Sequence, residues 1–426
     1  MGDRSHYALV CAGCDHRQSD DGLALTCPNS HPPALLRTAY DHGGFSVDPV
    51  AEGIGRYARW LPVARPPRGR GRPVVYPGER LGRHLGLTDL WIAFNGYWPE
   101  KNAFVSAATF KEYESATVGA RLPESFGTLV VASAGNTAAA FAQADVPVVL
   151  IIPESGLAAL AGADRPGPSV RVVVLTGGDY SDCIRVAGQL AARDGFYGEG
   201  GILNVARRDG LGTVLLAAYE TMGFLPGHYV QAVGSGTGAV AVHEAATRLV
   251  AAGAGQAVPR LLLAQNADFA PLHKKWLTGT DQAGKPSQSI FAPELTNRHP
   301  PFDITGGVRD CLRDSDGDVL TADAASAARA REDFHRIEGI DVEPAAAVAL
   351  AVLQRAVRTG RVRRTDTVLL NVTGGGRARR ATEFGGRPVV PHLVINQQAA
   401  DPDRLADRLR RGYDHAVQSV PSSTAR

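Results

Sequence analysis

The 426-residue sequence predicts an α/β fold built on parallel sheets. Three observations predict it. Short, nearly continuous apolar runs recur along the chain: 128–132 (TLVVA), 147–152 (PVVLII), 170–175 (VRVVVL), 229–233 (YVQAV), 260–265 (RLLLAQ) and 367–372 (TVLLNV). Continuous rather than alternating apolarity marks strands buried on both faces. Ala-rich amphipathic stretches at 137–145, 181–194, 237–252 and 344–358 lie between runs and supply crossover helices. Three runs end in small-residue loops: Ser133-Ala-Gly-Asn-Thr137, Gly234-Ser-Gly-Thr-Gly238 and Thr373-Gly-Gly-Gly376. Open sheets of this kind bind ligands on the loops that follow their strands.

The chain is long enough for two or three domains with real cores. Its 44% hydrophobic and 21% charged content and net charge of +2 are an ordinary globular balance. That balance argues against a nucleic-acid binder, which concentrates basic residues. The run at 65–72 (RPPRGRGR) is laden with Pro and Gly and reads as an exposed loop. No apolar run approaches the ~20 residues that span a membrane. The N-terminus lacks the pattern of a signal peptide, so a cytoplasmic protein is expected. Five cysteines, three of them in the first 27 residues, fit free or metal-bound thiols better than a disulfide scaffold.

Residues 1–37 form a small cysteine-rich, ribbon-like unit. Cys11 and Cys14 are a CxxC pair; Cys27 and His31 follow at Cys-x3-His spacing. The set reads either as a Cys3His structural zinc site or as a degenerate ribbon that folds without metal. Residues 38–94 are an entry segment ending in a strand at 90–94, and 201–204 reads as one more short strand. A flexible polar tail is expected at 416–426.

Lys111 is the candidate reactive group. Only five of the 45 basic residues are lysine, and a lysine kept against such a bias marks a need for an amine. A desolvated amine forms Schiff bases and shuttles protons; a guanidinium does neither. Thr109 and Glu112 form a capping-box pattern at the start of a helix over 111–120. The positive end of that helix would help depress an amine pKa. The loop 234–238 has the composition of a phosphate cradle. A dinucleotide reading needs an acidic residue after the next strand, and Gln265-Asn266 stand there instead.

A reactive lysine, an SxGN loop, a GSGTG cradle and a late Thr-Gly-Gly, in that order over about 80–400, resemble the fold-type II pyridoxal-phosphate enzymes. The stretches FNGYWPEK, LLRTAY and RHPPFDITGGVRD narrow the likeness to a branch close to threonine synthase. The family's Ser-Phe-Lys-Asp stands here as Thr109-Phe110-Lys111-Glu112. The resemblance implies two doubly wound parallel-sheet domains of the tryptophan synthase β type beside a zinc-ribbon-like unit. The large domain is expected at 38–115 with 214–415, and the small one at 116–213. Lys111 would hold pyridoxal 5'-phosphate covalently and move protons at Cα. Gly234, Ser235, Gly236, Thr237 and Gly238 would take its phosphate, Asn136 its ring hydroxyl and Thr373 its pyridine nitrogen. A hydroxyl at that nitrogen suits elimination and replacement rather than transamination. Ser133 and Thr137 would grip the substrate carboxylate, and Lys101 is the first candidate for the charge that meets anionic substrates. The implied reaction is β-replacement on O-phospho-L-serine by sulfite. Turnover of O-phosphohomoserine to threonine, another nucleophile, or a cofactor-free binding protein are the alternatives. Small-molecule substrates, no nucleic acid, no membrane and a homo-oligomer complete the expectation.

Overall fold

Strands that bury both faces need a helical layer on each side, and the chain supplies both. The structure is a computed structural model and describes residues 6–41, 43–133, 135–157, 160, 166–282, 284–287, 289–385 and 389–418. In chain order the strands are β1 (Tyr7–Cys11), β2 (Arg17–Gln18), β3 (Leu36–Tyr40), β4 (Val74–Pro77), β5 (Asp89–Phe94), β6 (Tyr97–Trp98), β7 (Ala103–Phe104), β8 (Thr128–Ala132), β9 (Val148–Pro153), β10 (Val170–Thr176), β11 (Phe196–Gly198), β12 (His228–Ala232), β13 (Arg260–Asn266), β14 (Asp318–Ala322), β15 (Thr367–Val372) and β16 (Leu393–Asn396). The α-helices among the described residues are α1 (Glu79–Leu85), α2 (Lys111–Arg121), α3 (Asn136–Phe141), α4 (Tyr180–Ala191), α5 (Val205–Met222), α6 (Thr237–Ala251), α7 (Pro271–Thr278), α8 (Val308–Asp314), α9 (Ala324–Glu338), α10 (Pro344–Arg358), α11 (Arg377–Phe384) and α12 (Pro402–Gln418). None of the described helices is long and apolar enough to cross a membrane.

The chain divides into two units, 1–123 with 200–384 and 124–199 with 385–426. In the first, six strands run in the order β14-β13-β12-β15-β5-β4. All neighbours are parallel except β4 and β5. One face is packed by α2, α5 and α6 through residues such as Tyr113, Leu215 and Val242. The other is packed by α9 and α10 through Phe334, Val348 and Val352. A three-stranded antiparallel sheet, β2-β1-β3, carries the cysteine unit. It is held to α2 by a buried ion pair in which Arg121 Nη2 lies 2.7 Å from Asp20 Oδ1. The run 65–72 is more than a linker: Arg65 donates to the carbonyls of Gly119 and Leu122 at the end of α2.

The second unit is a five-stranded parallel sheet in the order β11-β8-β9-β10-β16. Its core joins Val149, Ile151 and Val173 to Leu190 of α4 and Leu405 and Leu409 of α12.

These boundaries differ from 116–213. Residues 116–121 continue α2, and 205–213 open α5; both belong to the first unit. The reason is packing: α5 is buried nearly all round and lies against α2, with Arg207 of α5 3.4 Å from Glu114 of α2. Residues 385–415 go the other way, because β16 pairs with β10. The expected strand at 201–204 is instead a 3-10 turn, Gly201–Leu203, followed by Asn204, whose side chain caps α5. The expected flexible tail, 416–426, is helical to Gln418, and its remainder lies outside the described residues.

Candidate active site

Two backbone segments far apart in sequence meet beside Lys111. Phe110 N–H donates to the Thr373 carbonyl at 2.9 Å, and Gly375 N–H donates to the Ala108 carbonyl at 3.1 Å. Thr109 and Gly374 form an antiparallel bridge. The chain turns into this seam at Ala108, in the left-handed region with φ 52°. Lys111 therefore opens α2 directly against the end of β15. The expected capping box does not form. Thr109 Oγ1 donates instead to the Thr373 carbonyl at 3.1 Å, and Glu112 Oε2 accepts from Ser106 Oγ at 2.7 Å and Ala107 N–H at 2.8 Å. Burial pushes the Glu112 carboxyl above its ordinary range.

The Lys111 amine donates to Glu114 Oε2 at 3.1 Å, and Glu114 is fully buried. The other oxygen of that carboxylate is 3.4 Å from Arg207 Nη2. Sequence reading did not single out Glu114 or Arg207. The signal for Glu114 was its i,i+3 spacing from Lys111 on one helix face; Arg207 gave none.

The glycine loop joins β12 to α6. Gly236 caps that helix with φ 84°, and a Cβ there would stand 2.2 Å from Val308 Cγ2, so only glycine fits. Gln265 donates to the Val233 carbonyl at 3.3 Å and fixes the start of the loop. Ser235 and Thr237 hydroxyls are 2.9 Å apart. Because β12 and β15 are parallel neighbours, the loop 234–238 and the loop 373–376 leave the same edge of the sheet. Thr373 is buried, and its Oγ1 donates to Glu343 Oε1 at 2.7 Å.

In the second unit, Ser133, Asn136 and Thr137 follow β8. Ser133 is buried, and its Oγ accepts from Gly135 N–H at 3.2 Å and Ala138 N–H at 3.1 Å, so it binds an amide of the first turn of α3, whose N-cap is Gly135. Asn136 is the first helical residue rather than the cap.

Lys101 is seated on aromatic rings. Its ammonium lies 4.1 Å from the ring centroid of Tyr76 and 5.1 Å from that of Trp98. Glu338, an acid in the segment IEGIDVEP, accepts from Tyr76 Oη at 3.3 Å.

The four expected metal ligands do converge. The ligand atoms of Cys11, Cys14, Cys27 and His31 lie within 4.8 Å of one another. Cys14 and Cys27 sulfurs are 3.7 Å apart, and Cys11 Sγ is 3.3 Å from His31 Nε2. The other His31 nitrogen is 2.7 Å from the Pro32 carbonyl, which leaves Nε2 as the nitrogen that faces the thiols. All five cysteines are free.

The residues fit pyridoxal phosphate by donor chemistry. Lys111 offers an amine for an aldehyde, the 234–238 loop offers a helix N-terminus and hydroxyls for a phosphate, and Thr373 offers an oxygen for a ring nitrogen. The comparisons agree. The family described as "Pyridoxal-phosphate dependent enzyme" matches residues 105–374. A cysteate synthase of Methanococcoides burtonii is 41% identical over 419 residues, covering 95% of this chain and 99% of its own. A cysteate synthase of Methanosarcina acetivorans is 39% identical over 420 residues, with the same coverages. Among solved structures, threonine synthase from Escherichia coli superposes with a TM-score of 0.63 at 16% identity, covering 95% of this chain and 100% of that one. Maize serine racemase gives 0.56 at 18% identity, covering 80% of this chain and 92% of that one. Both carry the fold alone. The chain belongs to the pyridoxal-phosphate dependent enzymes of fold type II, in the group of the cysteate synthases.

Proposed function

We propose that the chain catalyses β-replacement on O-phospho-L-serine by sulfite, giving L-cysteate and phosphate. The observation that carries this reading is identity of about 40% to cysteate synthases over nearly the whole of both chains. The likeness to threonine synthase, at 16% identity, supports the fold and not its substrate.

Pyridoxal phosphate, when bound, supplies the sink for the electron pair of the Cα–H bond. The chain's own residues do the rest. Lys111 would hold the cofactor through its amine, and the same amine, when free, would take the Cα proton of the substrate. Glu114 is positioned to receive that amine, since its carboxylate already sits 3.1 Å away. The amides and hydroxyls of Gly234, Ser235, Gly236, Thr237 and Gly238 would take the cofactor phosphate, and Thr373 would be the partner of the ring nitrogen. Asn136 is assigned to the ring hydroxyl, and Ser133 and Thr137 to the substrate carboxylate. Leaving phosphate and entering sulfite are both anions, so the site needs a cation. Arg207, tied to Lys111 through Glu114, is assigned that role in place of Lys101, whose ammonium is seated on aromatic faces. Sulfite is a strong nucleophile and needs no side chain to activate it.

We further propose that Cys11, Cys14, Cys27 and His31 hold a structural zinc. Two ~2.3 Å Zn–S bonds at a tetrahedral angle separate their sulfurs by about 3.8 Å, and Cys14 and Cys27 stand at 3.7 Å. Four protein ligands leave no open position for substrate. Metal analysis of protein purified without chelator is expected to find one zinc per chain, and a zinc-free, fully folded protein would contradict it.

The activity is tested by mixing enzyme, O-phosphoserine and sulfite and following cysteate by mass. Threonine from O-phosphohomoserine, with no cysteate, would replace this reading by the threonine synthase one.

A further inference from the structure

Four polar side chains are buried beneath the site loops, and the chemistry described above uses none of them. Tyr229 and Gln231 lie on β12, Asn371 on β15 and Asn95 just after β5, on three neighbouring strands of one sheet. None is more than 2% exposed. They form a relay whose directions are set from one end. Asn95 Nδ2 faces the backbone carbonyls of Ala93 at 3.1 Å and Val372 at 2.9 Å, and a carbonyl only accepts. That end of Asn95 is therefore its nitrogen, and the Asn371 atom 2.7 Å away is an oxygen. The Asn371 nitrogen then meets Tyr229 Oη at 2.6 Å and Gln231 Oε1 at 2.8 Å, and Tyr229 donates its own proton to that Oε1 at 2.7 Å.

Gln231 Oε1 thus accepts two bonds, and Nε2 is left on the side of α6. A Cβ on Gly238, the second residue of that helix, would stand 2.3 Å from Nε2. It could be admitted only by moving an amide that the relay holds in place, so the glycine is what lets Gln231 reach the first turn. Among the described residues Nε2 has no acceptor. A buried donor left unmade is costly, and the cost is offset once a ligand brings an acceptor. The N-terminus of α6 already favours an anion through its amides and its positive end. A buried amide nitrogen set against that first turn is a second, independent sign of the same ligand.

We propose that Gln231 is a further phosphate-binding residue: its Nε2 donates to the cofactor phosphate at the first turn of α6, beside the amides and hydroxyls of 234–238. The proposal rests on the reading that this loop takes the phosphate. Asn95, Asn371 and Tyr229 act through Gln231 and are positioning residues, since the relay is what presents nitrogen rather than oxygen to an anion. Only hydrogen bonds change. The expected result is selectivity for pyridoxal phosphate over pyridoxal, the same aldehyde without its phosphate.

The test titrates full-length enzyme, resolved of cofactor, with pyridoxal phosphate and separately with pyridoxal, and follows binding by absorbance. Gln231→Met keeps the length of the side chain and removes the donor. It is expected to weaken pyridoxal phosphate by about tenfold or more, the scale of a lost hydrogen bond to a charged group, and to leave pyridoxal within about twofold. Equal weakening of both would make Gln231 a packing residue, and no change in either would place its amide away from the phosphate; each overturns the proposal. Gln231→Glu, which keeps an oxygen for Tyr229 and Asn371, is the second variant and is read in the same way. Should neither fold, the side-chain amide resonance of Gln231 in wild type decides. It is expected to move with pyridoxal phosphate and not with pyridoxal; a resonance that moves alike with both, or with neither, overturns the proposal. Ser235→Ala combined with Thr237→Val separates the two layers. A preference for pyridoxal phosphate that this pair leaves unmoved shows that the loop does not hold the phosphate, and the underlying assignment fails instead.

Discussion

The Lys111 seam and the cysteine cluster gather reactive side chains by opposite means. The cluster draws four ligands from a span of 21 residues, 11–31, and three of them are at least partly exposed. The seam draws Lys111, Glu114, Arg207, Glu343 and Thr373 from positions up to 262 residues apart, and joins them by side-chain contacts over a frame of backbone hydrogen bonds. A local cluster needs only a turn to assemble, and a metal to stay assembled. A long-range seam needs the whole sheet to bring its segments together. Chemistry that depends on a fixed amine belongs in the second kind of place; a staple suffices in the first.

The sharpest way to break this contrast is at Lys111. Lys111→Ala is expected to lose turnover by about 10³-fold or more, the scale of a removed proton-transfer group. Thermal melting is expected to change little, because the seam is held by backbone bonds. Borohydride reduction of the wild-type holoenzyme should label Lys111; label on Lys101 or Lys274 would overturn the assignment.

Cys14→Ser acts on the other region. It is expected to release zinc and lower Tm by roughly 3 °C, corresponding to about 2 kcal/mol in a unit of this size, while kcat below the melting range stays near wild type. A loss of kcat in step with metal content would erase the distinction between staple and catalytic seam.

Glu294→Gln sharpens the comparison through pH. Burial, then the charge of Glu343, push the Glu294 carboxyl up to about 7, above the ordinary 4.5, so the folded state binds the extra proton between those values. Stability from this group is therefore present at low pH and falls as pH rises through that window. The Gln variant is expected to flatten the decline in Tm between pH 5 and 7.5, since the buried site then carries no titrating proton. An unchanged slope would place Glu294 in water.

The smallest effect is expected at Lys101. Its contacts with Tyr76 and Trp98 are worth about 0.5–1 kcal/mol at such a site, so Lys101→Met should lower Tm slightly and leave KM for O-phosphoserine within about twofold. A tenfold rise in KM would return Lys101 to the substrate and take the role from Arg207.

Much of the frame was legible in the residues. The runs TLVVA, PVVLII and VRVVVL read as buried parallel strands because both of their faces are apolar, and they became β8, β9 and β10. Lys111 stood out because lysine is rare in this chain. The convergence of Cys11, Cys14, Cys27 and His31 was readable because the four are close in sequence. The misses share a cause. Strand β16, LVIN, is an edge strand with alternate residues exposed, so it lacks the continuous apolarity of its neighbours. Thr109 had the sequence of a cap, but a long-range bond to Thr373 took its hydroxyl. Glu343 gained its meaning only when β15 brought Thr373 to it, and no local pattern marks such an acid. Asn136, Ser133 and Thr137 were singled out by a loop motif, and which of them meets an amide of α3 was a matter of geometry.

The pairing of β16 with β10 has a consequence for how the chain is made. Val173 pairs with Leu393, some 220 residues later. During synthesis the second unit waits, with one edge of β10 open, while the whole interior of the first unit emerges. Closing so long a loop is slow rather than costly, since the entropy grows only with the logarithm of length. The open edge presents VRVVVLT to other nascent chains, a run well suited to strand addition. A chain stopped after Phe384 is expected to aggregate, and supplying 385–418 as a separate peptide should reduce that aggregation. In the cell, the interval between these two segments is when this protein has most need of a chaperone.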